Sequence, residues 1–570
     1  MWGATRTRTA EFACRTSNVE RLIVANILIV GAGPTGLTMA AVLARHGVIA
    51  RVIESAVTPP DDRSRAIVIQ ARTLELFDDL GIVREVLDAS LLVEAANVFS
   101  SRGGHATVVI RPEWLDSRYG RLVTLPQEET ERILGGLVER SGALVERGVE
   151  LDGYEEGSHG GTAVLRHADG RTERMAVDYL LGCDGAHSAV RQHAGIPFPG
   201  STYPAECLLG DVTMRWRLPE GQVSICPAPD GVLLAFPLPG AHHFRVIMIL
   251  PAASSDESRH LDPEEFLSRL RRLVPRAGAD SDEPTVVESH WLTRYRLHSR
   301  GVPVYRKGNA FVAGDAAHIH SPAGAQGMNT GIQDAYNLGW KLALVARGEA
   351  PPTLLDSYHT ERHRVGELLL HRADRLFAVL AGNGRLGTAI RTVMPEIGVR
   401  LLGLPIVGRR MAHFISQTGI RYRRSALSTE AHGAARLPAR APRAGDRAPD
   451  VELSPGKRIS DLLRGPHHTL LLFGARSTAL IERFTQLSAE VSARYGALVH
   501  PVLIRLPGAQ PALGEVDERG AVHERYGADP GAIYLVRPDG HIGFRGAETD
   551  TEPVRAALRA RFLVPDVPRR

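Results

Sequence analysis

Three short stretches carry residue types that could together grip a nucleotide. The first, Gly31-Ala32-Gly33-Pro34-Thr35-Gly36, follows an apolar run at 25–30 and precedes a helix-forming run at 37–44. In a strand–turn–helix setting the first glycine makes the turn, the second lets the backbone approach a pyrophosphate, and the third lets helix pack on strand. The helix start adds free N–H groups and a positive dipole end. Glu54 closes a second strand-like run (49–53) about 20 residues further on, where a carboxylate accepts from a ribose hydroxyl. The second stretch is Gly182-Cys183-Asp184-Gly185, after an apolar run at 179–181. The third is Gly314-Asp315, where the run 311–313 stops and a loop rich in glycine, starting near Pro322 and ending at Gly331, leads into a helical stretch to Lys341. There a carboxylate and a flexible backbone meet at a strand end. His318 and His320 are the nearest titratable groups, and a histidine placed directly after Gly-Asp-Ala-Ala reads as a structural hydrogen-bonder rather than a base. No metal site is expected: His242-His243 and His467-His468 are adjacent pairs, whose side chains on a strand point to opposite faces.

The bulk numbers fit this. A chain of 570 residues, 44% hydrophobic and 23% charged, is a multi-domain globular protein. Its 68 basic and 64 acidic residues are interspersed, so no nucleic-acid partner is expected. Only Lys307, Lys341 and Lys457 are lysines, an arginine bias that reads as codon composition. Four cysteines (Cys14, Cys183, Cys207, Cys226) without a CxxC pair indicate a reducing, cytoplasmic setting. No apolar run reaches about 18 residues, so no membrane partner is expected.

These stretches must be positioned by an α/β fold, a Rossmann-like nucleotide domain interrupted by a β-sheet insertion and followed by a separate tail domain. The expected divisions are a disordered extension (1–25), the first part of the nucleotide domain (26–195), a middle sheet (196–305), the second part with its helices (306–425), a small, proline-rich, basic linker (426–448) and the tail (449–570). Arg63-Ser64-Arg65 leads into an amphipathic helix, and its arginines pair with phosphate or cap a solvated face. Asp169-Gly170 marks a hairpin. The middle region alternates strand-like runs at 207–216, 232–237, 244–250 and 291–297 with one helix at 263–273. The tail reads strand (469–473), helix (478–495), strand (498–504) and hairpin (532–540).

In this order and at these separations the three motifs resemble the class A FAD-dependent aromatic hydroxylases (the p-hydroxybenzoate hydroxylase fold) over about residues 25–420. The resemblance implies non-covalent FAD held by Gly31, Gly33, Pro34, Thr35, Gly36 and Glu54 at its ADP half. It implies Asp184 with Arg191 near FAD and NAD(P)H, Asp315 on the ribityl chain, and Arg65 and Gln127 as further contacts. Backbone N–H groups near Gly327, Met328 and Asn329 are expected to face the pyrimidine end of the flavin, where donors stabilise negative charge. Pro322 is the expected catalytic-loop residue beside flavin and substrate. The implied reaction uses NADH or NADPH as transient reductant and O₂ as co-substrate to form a flavin C4a-hydroperoxide, which transfers oxygen to an aromatic ring. Baeyer–Villiger or epoxidising chemistry on the same cofactor, or a non-oxygenating FAD reductase or sensor, stay open.

Phenol hydroxylase carries Asp-Gly just before its Gln-x-Arg-Thr-Leu-Glu segment. Here Ile67-Val68 stands ahead of Gln70-Ala71-Arg72-Thr73-Leu74-Glu75. An apolar residue there suits a larger, flatter, polyketide-like aromatic held by shape, with Ile67, Phe236 and Pro322 as pocket residues. The tail resembles the thioredoxin-like tail of phenol hydroxylase, the polyketide hydroxylases and rifampicin monooxygenase. With no cysteine after Cys226 it is left with docking or dimerisation, or a purely structural role, in a monomer or homodimer.

Overall fold

The computed structural model describes residues 25–59, 66–99, 105–109, 114–216, 218–228, 230–251, 261–274, 284–320, 326–381, 405–547 and 550–564. The expected extension, Arg65 and Pro322 lie outside the described residues.

Ile27–Val30 is buried along its whole length because it sits inside a six-stranded sheet with both faces covered. It pairs in parallel with Arg51–Glu54 on one side and Tyr179–Gly182 on the other. Ala310–Val312 continues the sheet beyond Tyr179–Gly182. Strand order therefore reverses about Ile27–Val30, and a ligand crevice opens at the carboxyl ends of the strands on either side of such a point. Helix α1 (Pro34–Arg45) starts there with proline in its first turn, where the missing N–H removes no helical hydrogen bond. Helices α2 (Ala71–Asp79) and α3 (Gln127–Arg140) flank it.

Among the described residues the middle sheet has eight strands, and Gly200–Arg215 lies between His243–Pro251 and Thr285–Gly301. Side chains alternate. Leu208, Val212, Val246 and Met248 pack under helix α4 (Pro263–Leu273), against Phe266 and Leu270. Cys207, Leu209, Ile247 and Ile249 occupy the opposite face. One face is thus closed by a helix and the other turns toward the nucleotide domain.

The sheet is larger than the expected insertion. Val223–Ala228, not anticipated, is one of its strands, and it pairs in parallel with Ala96–Phe99 from the first part of the nucleotide domain. His318–Ile319, just after the Gly314-Asp315 motif, pairs with Arg300–Gly301 at the other end. Non-local pairing of this kind leaves no periodicity in the sequence.

Helix α5 (Gly327–Ala346) runs beside α1, and Gly339 lets them approach: a Cβ there would stand 2.7 Å from Val42. Helix α6 (Asp356–Ala381) and helix α7 (Pro405–Ile415) follow. The last sheet places His468–Ala475 between Val499–Arg505 (parallel) and Ala532–Val536 (antiparallel), with Ile542–Ala547 next to the latter. Residues 426–448, expected as a linker, pack onto this sheet: Thr429–Glu430 adds an edge strand against Phe544 and Arg545, and Ala434, Ala441 and Ala444 are buried.

The tail domain meets α5 and α6 through ionised groups cut off from water. Arg537 donates to both Glu361 oxygens at 2.6 and 2.9 Å and also pairs with Asp539. Lys341 Nζ donates to Glu361 Oε2 at 2.8 Å and to Asn337 Oδ1 at 2.7 Å. Asn337 and Trp340 donate to Asp539. The two basic residues hold Glu361 well below the usual carboxylate range, whereas burial pulls the Lys341 ammonium down to about 8. Removing one partner from such a cluster leaves an unpaired charge in the interior. Arg537→Met is therefore expected to destabilise the protein by about 3–5 kcal/mol, read as a lowered thermal midpoint.

The same junction holds histidines that folding keeps neutral. His46 is lowered to about 3, first by burial and then by Arg45 and Arg347, and burial places His468, edge-on to Trp340 and Phe562, well below 6.5. Between about pH 6.5 and 3 the unfolded chain takes up these protons and the folded chain does not, so stability falls with acidification. The expected slope approaches about 1.4 kcal/mol per pH unit for each group, and denaturant titrations from pH 7 to 5 measure it. His468→Leu should remove part of that slope.

Candidate active site

Gly31 (φ +98°) turns the chain where a Cβ would press to 2.5 Å from the Cys183 carbonyl, and its N–H donates to Ile53 O. Glu54 braces the turn: Oε2 accepts from the Ala32 N–H at 2.9 Å and Oε1 from the Ala56 N–H at 3.0 Å. Gly36 lies behind the turn, where a Cβ would collide with the Gly31 carbonyl. Gly33 is different. Among the described residues, only Glu131 Oε1, 3.9 Å away, comes near a Cβ built on it. The space in front of Gly33 is thus left for a ligand, at a helix N-terminus where N–H groups lack intrahelical acceptors.

A cavity of about 1460 Å³ opens there, and Gly31, Gly33, Pro34, Thr35, Glu54, Gln127, Asp184, Asp315, Gly327 and Met328 all line it, with Ile67 and Phe236. Asp184 Oδ2 accepts from the Val190 N–H at 3.1 Å, and burial raises its pKa. Arg191 bonds not to the cavity but to the Ala316 carbonyl (3.0 Å) and the Ala186 carbonyl (2.8 Å), joining the second and third motifs from behind.

Thr35 connects the first motif to the third. A Cβ on Gly314 (φ +61°) would stand 2.6 Å from its hydroxyl, and one on Gly331 would also collide with it. The Gly314 N–H donates to Asp334 Oδ2 at 3.1 Å. That carboxylate is buried and holds His318 Nε2 at 2.8 Å and Arg362 Nε at 2.6 Å, and these partners, Arg362 first, lower its pKa despite burial. Arg362 also donates to Tyr422 Oη and to the Thr330 carbonyl. His318 is therefore a structural partner of Asp334. Asp334 and Arg362 had no assigned role from sequence, since a charge inside a helical stretch reads as a solvated face until its partner is seen.

Asn329 was expected to contribute a backbone N–H, and its side chain has a separate part. It is fully buried, and its side chain points away from the cavity: Oδ1 accepts from the Gln70 N–H (3.0 Å) and the Thr73 hydroxyl (2.7 Å), and Nδ2 donates to the Val68 carbonyl (2.7 Å). It clamps the start of α5 to the start of α2, because a buried amide in the first helical turn must satisfy both its ends.

A second cavity, of about 1630 Å³, lies between the middle sheet, α6, α7 and the tail domain. Val68, Phe236, His320 and Gln326 line both cavities, so the two meet beside the start of α5.

The glycine cradle, the acidic residue on the second strand and a cavity running to a helix start fit a flavin dinucleotide, and define the class as an FAD-binding oxidoreductase. The comparisons with known proteins agree. Residues 24–373 match the FAD binding domain family and residues 441–565 the aromatic-ring hydroxylase C-terminal family. Pentachlorophenol 4-monooxygenase of Sphingobium chlorophenolicum is 32% identical, covering 91% of this chain and 94% of its own. The 12-dehydrotetracycline 5-monooxygenase/anhydrotetracycline 6-monooxygenase of Streptomyces rimosus is 32% identical over 95% and 99%. The aklavinone-11 hydroxylase structure with FAD and aklavinone superposes with a TM-score of 0.72 at 25% identity, covering 94% and 98%. The chain belongs to the family of FAD-dependent aromatic-ring hydroxylases. It is a flavoprotein monooxygenase that uses NAD(P)H and O₂.

Gly33→Ala is expected to leave the melting of the flavin-free protein unchanged and to weaken FAD binding on the order of tenfold or more, read from flavin absorbance per protein. Gly36→Ala should instead lose soluble folded protein.

Proposed function

We propose that this enzyme hydroxylates a large, flat aromatic compound seated in the second cavity, and that the nucleotide cavity holds FAD. The observation that carries this reading is the meeting of the two cavities at Val68, Phe236, His320 and Gln326. FAD, when bound, supplies the redox chemistry that couples NAD(P)H and O₂ to oxygen transfer.

The chain's own residues supply positioning and dryness. Ile67 and Val68 pack with Phe236 and Leu238 in one small cluster, so among the described residues that wall presents apolar side chains. Shape and apolar contact must orient the ring there, and the same contacts keep out water that would divert the oxidant. Gly327 and Met328 bring first-turn N–H groups of α5 to the cavity, where they can meet negative charge on the pyrimidine end of a bound flavin. Asp315 is offered to the ribityl chain and Glu54 to the ribose. The polycyclic substrates in the names of several relatives support the size of the proposed ligand.

The tail fits a thioredoxin-like module: from His468 onward, leaving aside the two-residue strand Glu515–Val516, its strand and helix order is β-α-β-α-β-β-α with mixed pairing about His468–Ala475. It has no cysteine, so its role is to pack against α5 and α2. A cytoplasmic setting fits Cys183, Cys207 and Cys226, which are buried thiols outside any disulfide, and among the described residues no helix is long and apolar enough to cross a membrane.

Purified holoenzyme should oxidise NAD(P)H faster in the presence of a polycyclic phenol and place one atom from ¹⁸O₂ on a ring carbon of the product. NAD(P)H oxidation that never yields labelled product across a broad aromatic panel would overturn the reading.

A further inference from the structure

The second cavity is not only large and apolar. On one wall Ile225 and Leu234 are paired residues of neighbouring strands, with Val223 and Phe236 beside them, and Leu369 of α6 and Ile415 of α7 also line it. Its charge is one-sided. Among the described residues eleven arginines but four carboxylates line it, whereas the whole chain has 68 basic and 64 acidic residues. The arginine-for-lysine bias of the chain explains why these cations are arginines and does not explain why they outnumber the acids nearly three to one here.

Three of those four carboxylates are already neutralised. Asp116 pairs with Arg525 at 2.7 Å, Asp446 with Arg423 at 2.7 Å, and Glu361 with Arg537 and Lys341. Arg121, Arg364, Arg375, Arg409, Arg410 and Arg424 are exposed and make no close ion pair among the described residues, and Arg409 acts on Asp116 only at longer range. Like charges gathered around the rim of a concave surface with an apolar wall repel one another and focus a positive potential into it. An anion entering the cavity relieves that repulsion, and a planar guanidinium matches a carboxylate in two parallel hydrogen bonds.

We propose that the second cavity takes an anionic polycyclic aromatic, its rings on the apolar wall and a carboxylate held by the arginines of α6, α7 and the segment after α7. This rests on the reading of that cavity as the substrate site and adds the charge of the ligand. Arg409 and Arg410 on α7 and Arg364 on α6 are the residues that would distinguish an acid from its neutral ester. A nucleic acid is disfavoured by the concave apolar wall, which a phosphate backbone cannot cover.

The test uses FAD-loaded, full-length enzyme and two probes, anthraquinone-2-carboxylate and its methyl ester, titrated by perturbation of the flavin absorbance. The carboxylate should bind on the order of tenfold or more tightly than the ester at low salt, and added salt should shrink that preference. Arg409→Gln/Arg410→Gln should lose the preference while ester binding persists, with flavin absorbance and thermal midpoint confirming the fold. Equal affinity of wild type for both probes at low salt overturns the proposal and leaves the aromatic-site reading standing, since the ester still binds. So does a variant that weakens both probes alike. Absence of any perturbation by either probe overturns the proposal together with the aromatic-site reading. The wild-type comparison and its salt dependence decide the matter even where the variant fails to fold.

Discussion

Lys341, Glu361, Arg537 and Asp539 exclude water from one junction, and the placement of the whole flavin site depends on their balance. Each ion costs several kcal/mol to bury, and that cost is offset only while all four are present and hydrogen-bonded. Glu361 and Arg362 are adjacent on α6 and take different partners on α5: Glu361 takes Lys341, and Arg362 takes Asp334. Lys341 and Asp334 lie about two helical turns apart on one face. The two ion pairs therefore fix both the rotation and the axial position of α5. Asp334 then holds the Gly314 N–H, which sets Asp315 toward the nucleotide cavity.

From the other side, α1 reaches the same place through small residues. Thr35 touches Gly314 and Gly331, and Val42 touches Gly339, so the turn that would cradle the pyrophosphate and the loop that would hold the ribityl chain meet without an intervening side chain. Arg191 ties Ala186 to Ala316 behind them. What looks in the chain like three separate motifs is one surface, made continuous by glycine contacts in front and an arginine behind.

Much of this was legible in the sequence where the cause is local. Gly31, Gly33, Glu54 and Asp315, readable from turn chemistry and strand ends, line one cavity with Pro34, Thr35, Gln127, Asp184, Gly327 and Met328, which the family resemblance supplied. What stayed hidden depends on partners far along the chain. Val223–Ala228 is a strand because Ala96–Phe99 and Gly231–Pro237 flank it, and nothing in Val-Ser-Ile-Cys-Pro-Ala itself announces that. Residues 426–448 have the composition of a linker, yet their small side chains let them lie flat on a sheet. Asn329 was expected at the flavin through its backbone N–H, and nothing local showed that its side-chain amide would bind Gln70, Thr73 and Val68.

The junction between the tail and α6 also sets an order of events during synthesis. Glu361 leaves the ribosome 176 residues before Arg537, the cation that completes its ion pairs. At about 5–20 residues per second, α5 and α6 wait many seconds with a buried-to-be carboxylate still needing water. The nucleotide-binding sheet can form in that interval, but the wall contributed by α5 reaches its final position only once the tail has docked. Docking of the tail is thus the step that completes the partners of Glu361.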